Sequence, residues 1–167
     1  MVAERLQDAS SRIAAIARVH DRLYRSPQIE TIDLGDYLVE VCRDLNEVMP
    51  HCEVECVAPE TIYMSTDRAI RVALLVTELV TNSAKHAYPD GQPGSIWVNL
   101  ARGDRETAHI TVRDEGQGLP PAFEMGRGDG LGMRLAMALA QQTDAVIRAN
   151  RLGKGTEFLI EMPLAPG

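Results

Sequence analysis

Three short segments carry the residue types that can do chemistry. Glu78, Asn82 and Lys85 recur at i, i+4 and i+7, so they share one helix face. Asp114-Glu115-Gly116-Gln117-Gly118 follows, an aspartate with two glycines just beyond it. Gly128-Asp129-Gly130-Leu131-Gly132 then leads into an apolar helical pattern. A carboxylate, a neutral amide oxygen and an ammonium group on one face suit a hydrated divalent cation and a phosphate chain. Magnesium takes few protein oxygens and keeps several waters. Asn82 supplies such an oxygen. Glu78 is placed to hold a metal water or orient a nucleophile, and Lys85 to meet phosphate charge. Gly130 and Gly132 leave amides open at a helix start, where anions bind well.

Asp114 continues the core-facing phase of Ala108, Ile110 and Val112. A carboxylate aimed inward needs a donor, and the exocyclic amine of adenine is one. Gly116 and Gly118 let the backbone approach a base closely, and Thr156 places a hydroxyl within reach of the same base. Each piece alone has a plainer explanation. Glu-x-x-x-Asn-x-x-Lys is commonly a solvated face, and Asp-x-Gly-x-Gly is commonly a turn. The glycine run matches a dinucleotide fingerprint in density, but the repeating βαβ units of that fold are missing. In this order, within about 55 residues, the three segments describe a nucleotide site with a bound cation.

The elements that position them follow from periodicity. Residues 3–26 read as a helix with Leu6, Ile13, Ile16, His20 and Leu23 on one stripe, stopped by Pro27. Asp33 caps a second helix to about Val48, with Leu34, Tyr37, Leu38, Val41 and Leu45 inward. Residues 52–58 and 61–64 read as two short strands around Ala58-Pro59-Glu60. Ser65 or Thr66 caps a helix over about 67–87, with Ala73, Val76, Val80, Ala84 and Ala87 packing and Glu78, Asn82 and Lys85 opposite. Residues 95–101 and 107–114 alternate as antiparallel strands about Gly103-Asp104. Residues 117–130 form a loop and Leu131 to Gln142 a helix. Strands at about 145–151 and 156–162 turn at Gly153-Lys154-Gly155. The fold class expected is α/β in the α+β sense: a two-layer sandwich of a mixed, mostly antiparallel sheet covered by helices.

The bulk numbers narrow the function. The chain has 167 residues, suiting one domain and an attached segment, with 45% hydrophobic residues for a core. A net charge of −7 argues against a nucleic-acid partner. No apolar run approaches a membrane span, and the N-terminus lacks a signal-peptide core. A soluble, cytoplasmic protein or piece of one is expected. Cys42, Cys52 and Cys56 fall short of a zinc set, with only His51 adjacent, and are expected to be buried and reduced. His51 and His109 are read as solvated or structural.

The ordered segments resemble the N, G1 and G2 boxes of the ATP-binding domain shared by histidine kinases, DNA gyrase, a heat-shock chaperone family and mismatch-repair ATPases. Gly153-Lys154-Gly155-Thr156-Glu157-Phe158 is similar to that group's last box. More narrowly, Thr77-Glu78-Leu79-Val80-Thr81-Asn82-Ser83-Ala84-Lys85-His86-Ala87-Tyr88-Pro89 resembles the N box of sensor histidine kinases of the HWE and HisKA_2 type. Arg12-Ile13 through His20-Asp21-Arg22-Leu23-Tyr24 is similar to the second helix of their dimerisation hairpin. Trp97 is the only tryptophan, so a Trp-x-Glu near the G2 box is missing, which favours HisKA_2.

The resemblance implies residues 1–30 as a remnant of the dimerisation hairpin and 31–167 as the catalytic ATP-binding domain of a bacterial sensor kinase. It implies ATP and Mg²⁺ as cofactors. Asn82 would bind the metal and Glu78 assist phosphotransfer. Lys85 and His86 would lie near the phosphates and Asp114 would read adenine. Gly116, Gly118, Gly130, Leu131 and Gly132 would shape the pocket and a lid from about Leu119 to Asp129. It implies a homodimer through the N-terminal helix and a response regulator receiver domain as partner. The family's phosphoacceptor motif, resembling His-Arg-x-Lys-Asn-Asn, is not in this chain. His20-Asp21 imitates the His-acidic pair of other histidine kinases, but His20 is read as a packing residue. A different class is an anti-sigma-factor-like serine kinase or binding module, which needs no helical hairpin. A degenerate phosphotransfer protein would have lost Asn82, Asp114 and the glycines.

Overall fold

The structure, a computed structural model, describes residues 30–127 and 130–165, with Ser10, Ala14, Ala17 and Asp21 before them. Those four positions are helical and exposed. The stripe expected on residues 3–26, His20 included, lies outside the described residues, as do Gly128 and Asp129.

The chain runs β1 (Thr31–Asp33), α1 (Leu34–Val48), β2 (Cys52–Val57), β3 (Tyr63–Ser65) and α2 (Thr66–Ala87). A 3₁₀ turn (Pro89–Gly91) leads to β4 (Gly94–Arg102) and β5 (Thr107–Asp114), then α3 (Leu131–Gln142), β6 (Val146–Arg151) and β7 (Thr156–Pro163). Five strands form one sheet in the order β2-β4-β5-β7-β6. β2 lies parallel to β4 and the other pairings are antiparallel.

Alternation decides which face of that sheet meets the helices. Ile96, Val98 and Leu100 of β4, Ala108, Ile110 and Val112 of β5, and Phe158, Ile160 and Met162 of β7 are all buried. They meet Leu34, Leu38 and Val41 of α1, Val72, Leu75, Val76 and Leu79 of α2, and Met133, Ala136 and Leu139 of α3 in one core. Each fully buried Leu or Ile there stabilises the fold by roughly 1.5–3 kcal/mol. The opposite face is polar. Trp97 donates from its indole nitrogen to Glu55 at 3.1 Å, and the Arg113 guanidinium lies 6.0 Å from the Trp97 ring centroid. Sandwich and antiparallel majority are therefore as expected.

Two local expectations are corrected. β2 joins the large sheet, while β3, at 63–65 rather than 61–64, pairs with β1 in a two-stranded sheet. β1 itself was not anticipated. Its last residue does two jobs: Asp33 Oδ1 accepts from Gly35 N at 2.9 Å to cap α1, and from Ile62 N at 3.3 Å to hold the approach to β3. Finally, the packing face of α2 is wider than the expected stripe. It takes in Ala69, Val72, Leu75 and Leu79, while Ala84 is only half-buried.

Two polar devices hold the layers in register. Arg68, in the first turn of α2, is buried and donates to the carbonyls of Leu164 (2.9 Å), Thr143 (3.2 Å) and Pro163. Burial lowers its pKa below the ordinary arginine value, offset in part by Asp144. Asn46 of α1 blocks the outer edge of β2. Its amide nitrogen donates to Val54 O at 2.7 Å, and its oxygen accepts from Val54 N at 2.6 Å.

All three cysteines are free, with Cys42 and Cys52 buried and Cys56 half-buried. A hydrogen bond with Cys56 and burial raise the Cys42 pKa far above the ordinary thiol range, and the same bond lowers that of Cys56. Among the described residues no helix is long and apolar enough to cross a membrane. None of their His, Cys, Asp and Glu side chains cluster in threes as a metal site.

Candidate nucleotide site

Ser65 starts the helix that carries the first segment. Its hydroxyl accepts from Arg68 N at 3.4 Å, and its φ of −59° and ψ of 145° lie outside the helical region. From there α2 runs 22 residues to Ala87 without Gly or Pro. Asn82 is half-buried, and Lys85 and His86 are exposed. Glu78, expected on the face opposite the packing stripe, is itself buried, 4% exposed. The reason is the width of the packing surface, since α2 meets both α3 and the sheet.

Asp114 ends β5 opposite Ile96 and is 2% exposed. Its Oδ1 accepts from Gly116 N at 3.0 Å and from Thr156 N at 3.2 Å. Burial raises its pKa above the ordinary carboxylate value. The two amides pull the other way, with Ser83 of α2 helping in the same direction. Ser83 Oγ itself is buried and closes no hydrogen bond of good geometry. Both main-chain amides fall on Oδ1, so Oδ2 is the oxygen they leave for another donor.

Gly116 has a steric role within the chain that its sequence context did not show. A Cβ there would lie 2.3 Å from Ala87 O and 2.4 Å from Ala87 Cβ. The glycine therefore lets the Asp114 turn dock on the end of α2. That docking is reinforced by Gln117, whose amide donates to Ala87 O at 3.0 Å and whose Nε2 donates to His86 O at 2.7 Å. Tyr88, which the sequence reading treated only as part of a motif, completes the tie. Its hydroxyl donates to Ser95 O at 2.7 Å and accepts from Glu115 N at 3.0 Å.

The last segment reaches the same point from the other side. Gly155 has φ of +83°, and a Cβ on it would sit 1.9 Å from Asp114 O. Thr156 is buried, but the contact it makes with Asp114 comes from its amide rather than its hydroxyl. Gly130 precedes α3 with φ −65° and ψ 172°, with no side-chain cap. Gly132 is buried and Leu131 is 74% exposed. The structure thus joins Ser83, Asp114, Gly116, Ala87 and Thr156 into one cluster. Asn82 lies on the adjoining helix turn.

The first residues of the expected lid, Leu119, Pro120 and Pro121, are tied by their carbonyls to Arg151 of β6. An open groove of about 510 Å³ lies elsewhere, at the end of α1, lined among others by Asn46, His51, Glu53 and Ser95; it contains none of these site residues.

A buried carboxylate thus lies between two docked glycine turns of an α+β domain, beside a helix carrying Asn82 and an exposed Lys85. The chain belongs to the family described as histidine kinase-, DNA gyrase B- and HSP90-like ATPases, whose model matches residues 67–166. Residues 1–49 match a second model, HisKA_2, described as histidine kinase. The blue-light-activated histidine kinase 2 of Erythrobacter litoralis is 29% identical over 92% of this chain and 42% of its own length. The sensor histidine kinase PdtaS of Mycobacterium tuberculosis is 27% identical over 96% of this chain and 33% of its own. The chain thus spans under half the length of both. The histidine kinase domain of an Erythrobacter litoralis blue-light-activated kinase superposes with a TM-score of 0.80 at 26% identity, covering 96% of this chain and 82% of that one. Anti-sigma F factors match over shorter stretches, 45 residues or 27% of this chain in one case.

Proposed function

We propose that this chain is the ATP-binding catalytic portion of a sensor histidine kinase, with residues 1–30 a remnant of the dimerisation hairpin and 31–167 the catalytic domain. The observation that carries the reading is Asp114: a buried carboxylate with one oxygen held by two amides and the other left for a donor. Adenine's exocyclic amine is that donor. The family membership and the relatives point the same way.

In this reading ATP supplies the γ-phosphoryl group, and the protein contributes positioning and charge stabilisation. Asn82, half-buried one residue before Ser83, holds Mg²⁺ through its amide oxygen. Glu78 orients the acceptor or a metal water, and Lys85 and His86 face the phosphates. Gly130, Leu131 and Gly132 form the start of α3 under the phosphate chain. Gly118 and Thr156 complete the adenine wall. The acceptor is a histidine outside this chain, followed by a response regulator. The intact kinase is a cytoplasmic homodimer through its N-terminal helices. The anti-sigma reading has a short match in its favour, and the match of residues 1–49 to a histidine kinase model weighs against it.

The metal assignment has its own test. Asn82→Ala is expected to weaken ATP binding in Mg²⁺ by about tenfold or more, with metal-free ATP changed by less than about twofold. Titration calorimetry with Mg²⁺ and with a chelator reads both. Equal losses under the two conditions would remove Asn82 as the metal ligand.

A further inference from the structure

Arg151 ends β6 and stands in register with Thr156 of β7, whose amide holds Asp114. Its guanidinium donates to three successive carbonyls: Leu119 at 2.8 Å, Pro120 at 2.8 Å and Pro121 at 3.1 Å. A planar fork with five donors can serve three acceptors at once; an ammonium on a flexible stem is a poor substitute. Pro120 and Pro121 have no amide hydrogens and fixed φ, so this stretch cannot join the sheet through its own donors. The side chain from β6 supplies the tie instead, while Leu119 packs on the core.

Beyond Pro121 the polar contacts turn local. Phe123 N donates to Pro120 O at 3.0 Å and Arg127 N to Glu124 O at 3.2 Å, and Arg127 pairs with Glu124 at 3.2 Å. The loop therefore has a stem anchored to β6, one strand removed from the β5 of Asp114, and a distal part, 122–127, in which Phe123, Glu124 and Arg127 bond within the loop and Met125 packs on the core. We infer that Arg151 is a positioning residue for nucleotide binding. It fixes the stem, so that the distal part starts from a set point between the adenine wall and the phosphate end of the site. This rests on the ATP reading above.

The consequence is selective. The stem sets how the loop meets the phosphates, whereas Asp114 reads the base without it. In the 167-residue chain, Arg151→Ala is expected to weaken Mg²⁺–ATP binding by about tenfold and speed its dissociation, while AMP affinity, followed by NMR titration, changes by less than about twofold. Arg151→Lys should recover only part of the loss. Hydrogen exchange without nucleotide should accelerate in peptides covering 122–127 and stay unchanged in β5 and α2. An ATP affinity within twofold of the parent, equal losses for ATP and AMP, or unchanged exchange in the loop would each overturn the role. Failure of the parent chain to bind ATP would sink the ATP reading, while the exchange measurement would still judge the anchor.

Discussion

Asp114→Asn is expected to abolish ATP binding while raising the thermal midpoint of the unliganded chain at neutral pH. The substitution keeps the shape and an oxygen to accept from Gly116 N and Thr156 N. It turns the other carboxylate oxygen into an NH₂ group. That donor would face the adenine amine, leaving two buried donors opposed, at a loss of at least about 100-fold in affinity. Stability moves the opposite way. Burial raises the Asp114 pKa above its ordinary value of 3.8, so the folded state binds more protons than the unfolded state between those two values. Stability therefore falls as pH rises through that window, and the cost is fully present above the folded-state pKa. Asparagine carries no such cost. The variant's advantage should be largest at neutral pH and vanish as pH drops below the ordinary carboxylate value. Thermal melts across pH, with ATP titrations of both proteins, check the two halves. Binding within fivefold of the parent would refute the adenine assignment, and a lower midpoint at neutral pH would refute the burial argument.

Gly155→Ala is expected to have the largest effect on folding. Its φ of +83° lies where L side chains are strained, and the added Cβ would sit 1.9 Å from Asp114 O. The obstacle is backbone, so no rotamer relieves it. Strain and displacement together are expected to cost about 3 kcal/mol or more, lowering the midpoint by roughly 6–12 °C at this chain length. Because the clash falls on Asp114 itself, ATP affinity should fall even in the population that remains folded. Denaturant unfolding monitored by circular dichroism gives the first number and titration the second. A loss below about 1 kcal/mol would mean the β6–β7 turn does not pack on Asp114 as described.

The parts of this molecule legible in its sequence are those set by local periodicity. α2 with its Ser65 cap, the β4–β5 alternation that turns Asp114 inward, and the β6–β7 hairpin at Gly153-Lys154-Gly155 all appear as expected. What the sequence hid depends on partners far along the chain. β2 lies parallel to β4, some 40 residues on, and nothing within Cys52–Val57 marks that choice. β1 is three residues long and exists through its pairing with β3. Glu78 was placed opposite the packing stripe because period alone shows one such stripe, whereas α2 is covered from more than one side. Arg68 reaches carbonyls 75 to 96 residues away, and Arg151 reaches 30 to 32 residues back. Neither arginine differs in sequence from an ordinary surface cation. The atoms that a side chain at Gly116 would meet belong to Ala87, nearly 30 residues back, and nothing near Gly116 in sequence marks them.

The most direct test of the account is calorimetric titration of this chain with ATP and with GTP, each with Mg²⁺. Guanine presents a carbonyl oxygen where adenine presents its amine, so it would set an acceptor against the Asp114 carboxylate. The account predicts ATP binding, with GTP weaker by about 10³-fold or more. Equal affinity for the two nucleotides would contradict Asp114 as the reader of the base. Binding of neither would leave the cluster around Asp114 as a turn-packing device in a protein-binding module.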